Sequence, residues 1–101
     1  TPAPQAPDDV PTAEKRLMIV EDNDDLRYYL RHIFEAGYHV VDVPDGQQAL
    51  RYLEHNMVDF IISDVMMPGI QGDMLCRKIK QSVATSHIPV ILLTAKAGAK
   101  A

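Results

Sequence analysis

The stretch DFIISDVMMPG, residues 59–69, constrains this chain more than any other. It reads as a short apolar strand over 59–63 that delivers one carboxylate, Asp64, to its C-terminal end, with a Pro68-Gly69 turn close behind. One aspartate after one strand implies little. The arrangement recurs, however: the apolar run 17–20 ends in Glu21-Asp22, and the run 90–93 ends in Thr94. Open parallel sheets bind their ligands just outside the carboxyl ends of the strands. An acid pair, an acid and a hydroxyl at three such ends converge on one pocket, suited to a divalent cation and a phosphoryl group.

Helix capping is the competing explanation for Asp22-Asn23-Asp24-Asp25, and a turn role the competing one for Asp64. Capping accounts for Asn23 or Asp24, but not for an acid pair set directly on a strand end. Asp64 can supply a nucleophilic oxygen. Glu21, Asp22 and Asp64 are hard oxygen ligands of the type Mg²⁺ takes. Without a cation, three clustered carboxylates repel one another and raise some of their pKa values, so the acidic set itself predicts a cation. The Thr94 hydroxyl can donate to a phosphoryl oxygen.

The rest of the chain alternates strand and helix. After the strand 17–20, Leu26, Tyr29, Leu30, Ile33 and Phe34 form one apolar stripe at helical spacing, with Gly37 placed for a left-handed cap. His39–Val43 is rich in β-branched residues, and Pro44-Asp45-Gly46 is a turn into a helix over 47–55. Leu75, Cys76 and Ile79 mark a third helix over 73–81, residues 82–87 are a polar connection, and 88–93 is the fourth strand. Strands 17–20 and 90–93 are apolar throughout, as in strands covered on both faces, so 90–93 reads as central rather than as a bare edge. The repeated unit predicts a parallel sheet with right-handed crossovers.

Residues 1–14, TPAPQAPDDVPTAE, hold four of the seven prolines and few large apolar side chains, which predicts a flexible linker ahead of one domain over 15–101. The first residue is not Met, as in a fragment of something longer. At 101 residues and a net charge of −4, the chain suits one small domain and no nucleic-acid surface. No run approaches the roughly 20 apolar residues of a membrane span, and no secretory signal is present. The single cysteine, Cys76, excludes an internal disulfide, fits a reducing compartment such as the cytoplasm, and reads as a small core residue. The four histidines lack metal-ligand spacing and read as surface positions. Met66-Met67 reads as loop packing.

Ile19-Val20-Glu21-Asp22-Asn23, DFIISDVMMPG and HIPVILLTA together resemble the receiver domains of bacterial two-component response regulators, from about Arg16 to Lys96. The linker and the form LLTAKA resemble receivers inside hybrid sensor kinases. The resemblance implies a flavodoxin-like three-layer α/β sandwich with strand order 2-1-3-4-5, of which 2-1-3-4 is visible. It implies that Asp64 accepts a phosphoryl group from the phosphohistidine of a sensor histidine kinase. Asp22 and Asp64 would ligate Mg²⁺ directly, Glu21 through water, and Met66 through its backbone carbonyl. Thr94 would be the switch hydroxyl, with small Ala95 leaving the phosphoryl group accessible. The family's lysine lies at the end of a fifth strand; Lys96 and Lys100 follow Thr94 too closely for that role. The fifth strand and last helix are therefore expected beyond residue 101, leaving a fourth-strand edge for homodimerisation or domain swapping. No membrane or nucleic-acid contact is expected of the domain. Two other readings stay open: a non-phosphorylated pseudo-receiver used for docking or dimerisation, and an aspartyl-phosphate phosphatase. The phosphatase would want a second carboxylate two residues after its nucleophile, where this chain has Met66.

Overall fold

Parallel pairing starts from β1, Arg16–Val20, the hub of the sheet. It pairs on one side with β2, His39–Val43, and on the other with β3, Phe60–Asp64, which in turn pairs with β4, Val90–Leu93. The computed structural model describes residues 15–93, and the order 2-1-3-4 is that of a flavodoxin-like sheet. The expected linker 1–14, Thr94 and the tail to residue 101 lie outside the described residues. Three helices connect the strands: α1, Asp24–Phe34; α2, Gly46–Leu53; and α3, Gly72–Gln81.

Side chains alternate across the sheet with period two, and each face has its own core. Met18 and Val20 of β1 join Ile61, Leu75, Ile79, Ala49 and Ile88 beneath α2 and α3. Leu17 and Ile19 join Val40 and Ile62 on the opposite face, where Leu30 and Phe34 of α1 pack. The result is three layers. After exposed Arg16, residues 17–20 of β1 are buried because both faces of the strand are covered, which is why they form an unbroken apolar run.

The helix boundaries follow local chemistry. Asn23 caps α1 by accepting from the Leu26 N–H at 2.8 Å, and Asp24 and Asp25 sit in the first turn, where the helix dipole favours them. Asp45 caps α2 in the same way, accepting from Gln48 N–H at 2.8 Å, so the helix starts at Gly46 and ends at Leu53, short of the expected residue 55. α3 begins one residue earlier than expected, at Gly72.

Three expectations need correction. Gly37 is not left-handed: α1 ends in a tight turn in which Gly37 and Tyr38 N–H both bond Phe34 O, and Gly69 carries the positive φ among the described glycines. The α1 stripe is only half used, since Tyr29 and Ile33 remain 61% and 47% exposed while Leu30 and Phe34 pack on the sheet. Cys76 is half-buried rather than core. Among the described residues β4 is the outer strand, as the visible order 2-1-3-4 with its fourth-strand edge implies, and its Ile91 is half-exposed.

This division of the apolar residues is testable by stability. Ile61→Ala removes a side chain with no exposure and should cost about 2–5 kcal/mol in denaturant unfolding. Ile33→Ala, on the unused half of the stripe, should stay within about 0.5 kcal/mol. Equal losses at both positions would contradict the packing described here.

Candidate functional site

Adjacent parallel strands place their carboxyl ends side by side. Val20 is in register with Ser63, so the residues that follow, Glu21-Asp22 on one strand and Asp64 on the other, emerge together at the same edge of the sheet. The Glu21 N–H donates to Val43 O at 3.1 Å, which extends the β1–β2 ladder by one residue before the chain turns into α1. The turn is held by the Asn23 N–H, which donates to Glu21 Oε2 at 3.0 Å. One carboxylate oxygen from each of Glu21, Asp22 and Asp64 then lies within 4.8 Å of the others.

Asp64 is buried at the end of β3, and its Oδ1 accepts from the Met66 N–H at 3.3 Å. The loop after it is anchored twice. Met67 is buried in the core while Met66 stays half-exposed, and the Gly72 N–H bonds Val65 O at 2.8 Å. Gly72 is required there by close approach, because a Cβ on it would sit 2.2 Å from Asp64 O. Gly69 supplies the other constraint: its φ of 77° follows Pro68, as in a type II turn.

The electrostatics of this cluster are unfavourable as it stands. Glu21 is 1% exposed, and burial pushes its carboxyl above the ordinary value. The Asn23 N–H opposes that rise, and the neighbouring Asp64 and Asp22 carboxylates add to it. Glu21 Oε1 and Asp22 Oδ1 are buried with no hydrogen-bond partner. A buried acceptor left unpaired costs about 1–3 kcal/mol, more when charged. Oxygen-only donors gathered in this way, with Glu21 Oε1 and Asp22 Oδ1 unpaired, fit a hard divalent cation better than they fit anything a protein side chain offers. Glu21, Asp22 and Asp64 are the group of this kind among the described residues. The structure thus brings together three of the residues singled out in the sequence. Thr94 lies outside the described residues, although Leu93 before it is in register with Asp64 and accepts from Val65 N–H at 3.2 Å. All four histidines are exposed and away from the cluster.

Fold and site together define a doubly wound α/β module with an acidic pocket at its strand ends. The model of the response regulator receiver domain matches residues 17–101, and the chain belongs to that family, the receivers of two-component systems. A histidine kinase of Formosa agariphila is 41% identical over 80 residues, which are 79% of this chain and 6% of that kinase. The signal receiver domain of a signal transduction histidine kinase from Syntrophus aciditrophicus superposes with a TM-score of 0.76 at 43% identity, covering 79% of this chain and 61% of that one. The receiver domain of a sensor histidine kinase from Pseudomonas aeruginosa PAO1, solved with a magnesium ion coordinated in its active-site cleft, gives 0.78 at 32% identity over 84% and 70% of the two chains. Among the described residues no helix is long and apolar enough to cross a membrane.

Sequence reasoning missed two residues that shape the site. Gly72 opens α3 although glycine is a poor helix former, and that mismatch is the signal that backbone must pass close by. Arg27 sits one turn into α1 and reaches back to the Glu21 carbonyl, and nothing in its spacing marks it.

The sign of the Glu21 shift gives a prediction. A carboxyl whose folded pKa lies above its unfolded value favours folding at low pH and loses that contribution as pH rises through the folded value. At neutral pH the ionised group therefore works against the fold. Glu21→Gln in chelator at pH 7 should raise the melting temperature. Saturating Mg²⁺ should stabilise the natural chain by about 2.7 kcal/mol at a hundred times its Kd, and should stabilise the variant less. A variant that melts lower in chelator, with an undiminished Mg²⁺ response, would contradict the electrostatic account.

Proposed function

We propose that this receiver is a phosphoacceptor switch whose nucleophile is Asp64 and whose donor is the phosphohistidine of a sensor histidine kinase. The observation that carries the reading is the pair of buried, unpartnered oxygens on Glu21 and Asp22, whose carboxylates gather with that of Asp64 within 4.8 Å. In this reading Asp22 and Asp64 hold Mg²⁺ directly, Glu21 through water, and the Met66 backbone carbonyl completes the protein ligands. Magnesium, when bound, neutralises the carboxylates and the incoming phosphoryl oxygens. The magnesium ion in the Pseudomonas aeruginosa receiver's cleft supports this assignment, and the kinases among the relatives support the choice of partner.

The chain's own residues supply the rest. An Asp64 carboxylate oxygen attacks phosphorus in line. Its O–P bond forms as the P–N bond to the imidazole breaks, and the electron pair returns to the ring nitrogen. The Met66 N–H, which donates to Asp64 Oδ1 at 3.3 Å, helps to orient the carboxylate. Thr94, next in sequence after the strand end beside Asp64, is proposed as the hydroxyl that moves to the phosphoryl group and favours a second arrangement of the domain.

The test is intact mass after incubation with acetyl phosphate and Mg²⁺, on this chain and on Asp64→Asn. The expected outcome is one phosphoryl group on the natural chain, none on the variant, and none in chelator. An adduct that survives Asp64→Asn would move the acceptor elsewhere. Mg²⁺ binding with no adduct on the natural chain would favour a docking module.

A further inference from the structure

Arg27 is the most heavily engaged side chain near the site, and phosphoryl chemistry does not call on it. Its three guanidinium nitrogens reach three separate elements. Nη1 donates to the Glu21 carbonyl at 2.8 Å, Nε to Asp42 Oδ2 on β2 at 3.1 Å, and Nη2 to Asp24 Oδ1 at the start of α1 at 2.6 Å. The side chain is 17% exposed, and Arg31 also binds Asp42, from its other carboxylate oxygen.

The consequence lies in the Glu21 backbone. Its N–H is fixed by Val43 O and its carbonyl by Arg27 Nη1, so the residue is held on both sides. From this clamped segment hang the two oxygens that have no partner, Glu21 Oε1 and Asp22 Oδ1. Three like charges that repel would otherwise spread apart through this segment, because β1 ends at Val20 and α1 does not begin until Asp24. A planar guanidinium, with its donors fanned in one plane, can span the three acceptors at once; an ammonium on a flexible stem is a point charge and cannot.

We infer that Arg27 is a positioning residue of the acidic site: it holds the Glu21–Asp22 backbone so that the pair converges on Asp64 in the absence of a cation. The inference rests on the reading of the pocket as a cation site. Preorganisation of this kind acts through ligand orientation, and loss of such outer support costs metal sites about ten- to a hundredfold in affinity.

The experiment compares Arg27→Gln, Arg27→Lys and Asp42→Asn in the full chain. Three quantities are read: the Mg²⁺ dissociation constant, global stability in denaturant, and hydrogen-exchange protection of the Asn23 amide in chelator. That amide reports the Glu21 side chain directly, since it donates to Oε2. Arg27→Gln should weaken Mg²⁺ binding about ten- to a hundredfold and strip protection from Asn23 beyond the loss of global stability. Asp42→Asn, which removes an ion-pair charge but leaves the contact to the Glu21 carbonyl, should lose stability while keeping most Mg²⁺ affinity and Asn23 protection. Equal effects of the two substitutions on affinity and protection would overturn the inference and leave Arg27 a tie between α1 and β2. If Arg27→Gln does not fold, Arg27→Lys carries the comparison and should fall between it and the natural chain. If the natural chain binds no Mg²⁺, the cation reading fails on its own, and Asn23 protection alone decides. A loss in the Arg27 variants beyond that in Asp42→Asn upholds the positioning role, and equality overturns it.

Discussion

Mutual repulsion among three carboxylates is the constraint around which the active end of this domain is built. Burial holds the Glu21 carboxyl above its ordinary value, and the nearby Asp64 and Asp22 carboxylates push it the same way. Parallel pairing enforces the proximity. With Val20 opposite Ser63, the ends of β1 and β3 cannot deliver their acids anywhere but side by side. The apolar cores on both faces hold that register, since a one-residue slip would exchange the side chains of β1 between two differently packed cores. Hydrophobic burial thus holds together an arrangement that electrostatics opposes. On the proposed reading, a cation and then a phosphoryl group turn that opposition into binding energy.

The supports around the acids follow from the same constraint. Gly72 lets the start of α3 press against the backbone of Asp64, so the loop after Asp64 has little room to relax. Asn23 serves two structures at once, capping α1 with its side chain and holding Glu21 Oε2 with its backbone N–H. Arg27 ties the acidic turn to β2 and to the first turn of α1. Each device restrains backbone while Glu21 Oε1 and Asp22 Oδ1 stay unpaired, an economy that makes sense where a ligand is to complete the set.

Much of this could be read from the sequence because the strongest signals were backed by tertiary structure. The β-α alternation and the strand order follow from apolar runs and the resemblance, and the acid pair and Asp64 sit where strand ends must lie. The errors have physical causes. Helical periodicity marks the α1 stripe as a face without saying what covers it, and Tyr29 and Ile33 stay exposed. Gly37 was assigned a left-handed cap, but bonds from Gly37 and Tyr38 to Phe34 O close α1 without one. The apolar run of β4 marks a strand suited to cover on both faces, and among the described residues it pairs on one side, with β3. Gly72 and Arg27 were not legible because their roles depend on contacts made across the fold, with Val65 and Asp64 in one case and with β2 in the other.

The most direct measurement is the anomalous scattering of Mn²⁺, standing in for Mg²⁺, in crystals of this chain. The account predicts a single strong peak among the carboxylates of Glu21, Asp22 and Asp64, in direct coordination distance of Asp22 and Asp64, and its loss in Asp22→Asn. A pocket that stays empty at saturating Mn²⁺, or a peak that persists in Asp22→Asn, would contradict the claim that repulsion in this cluster is relieved by a cation.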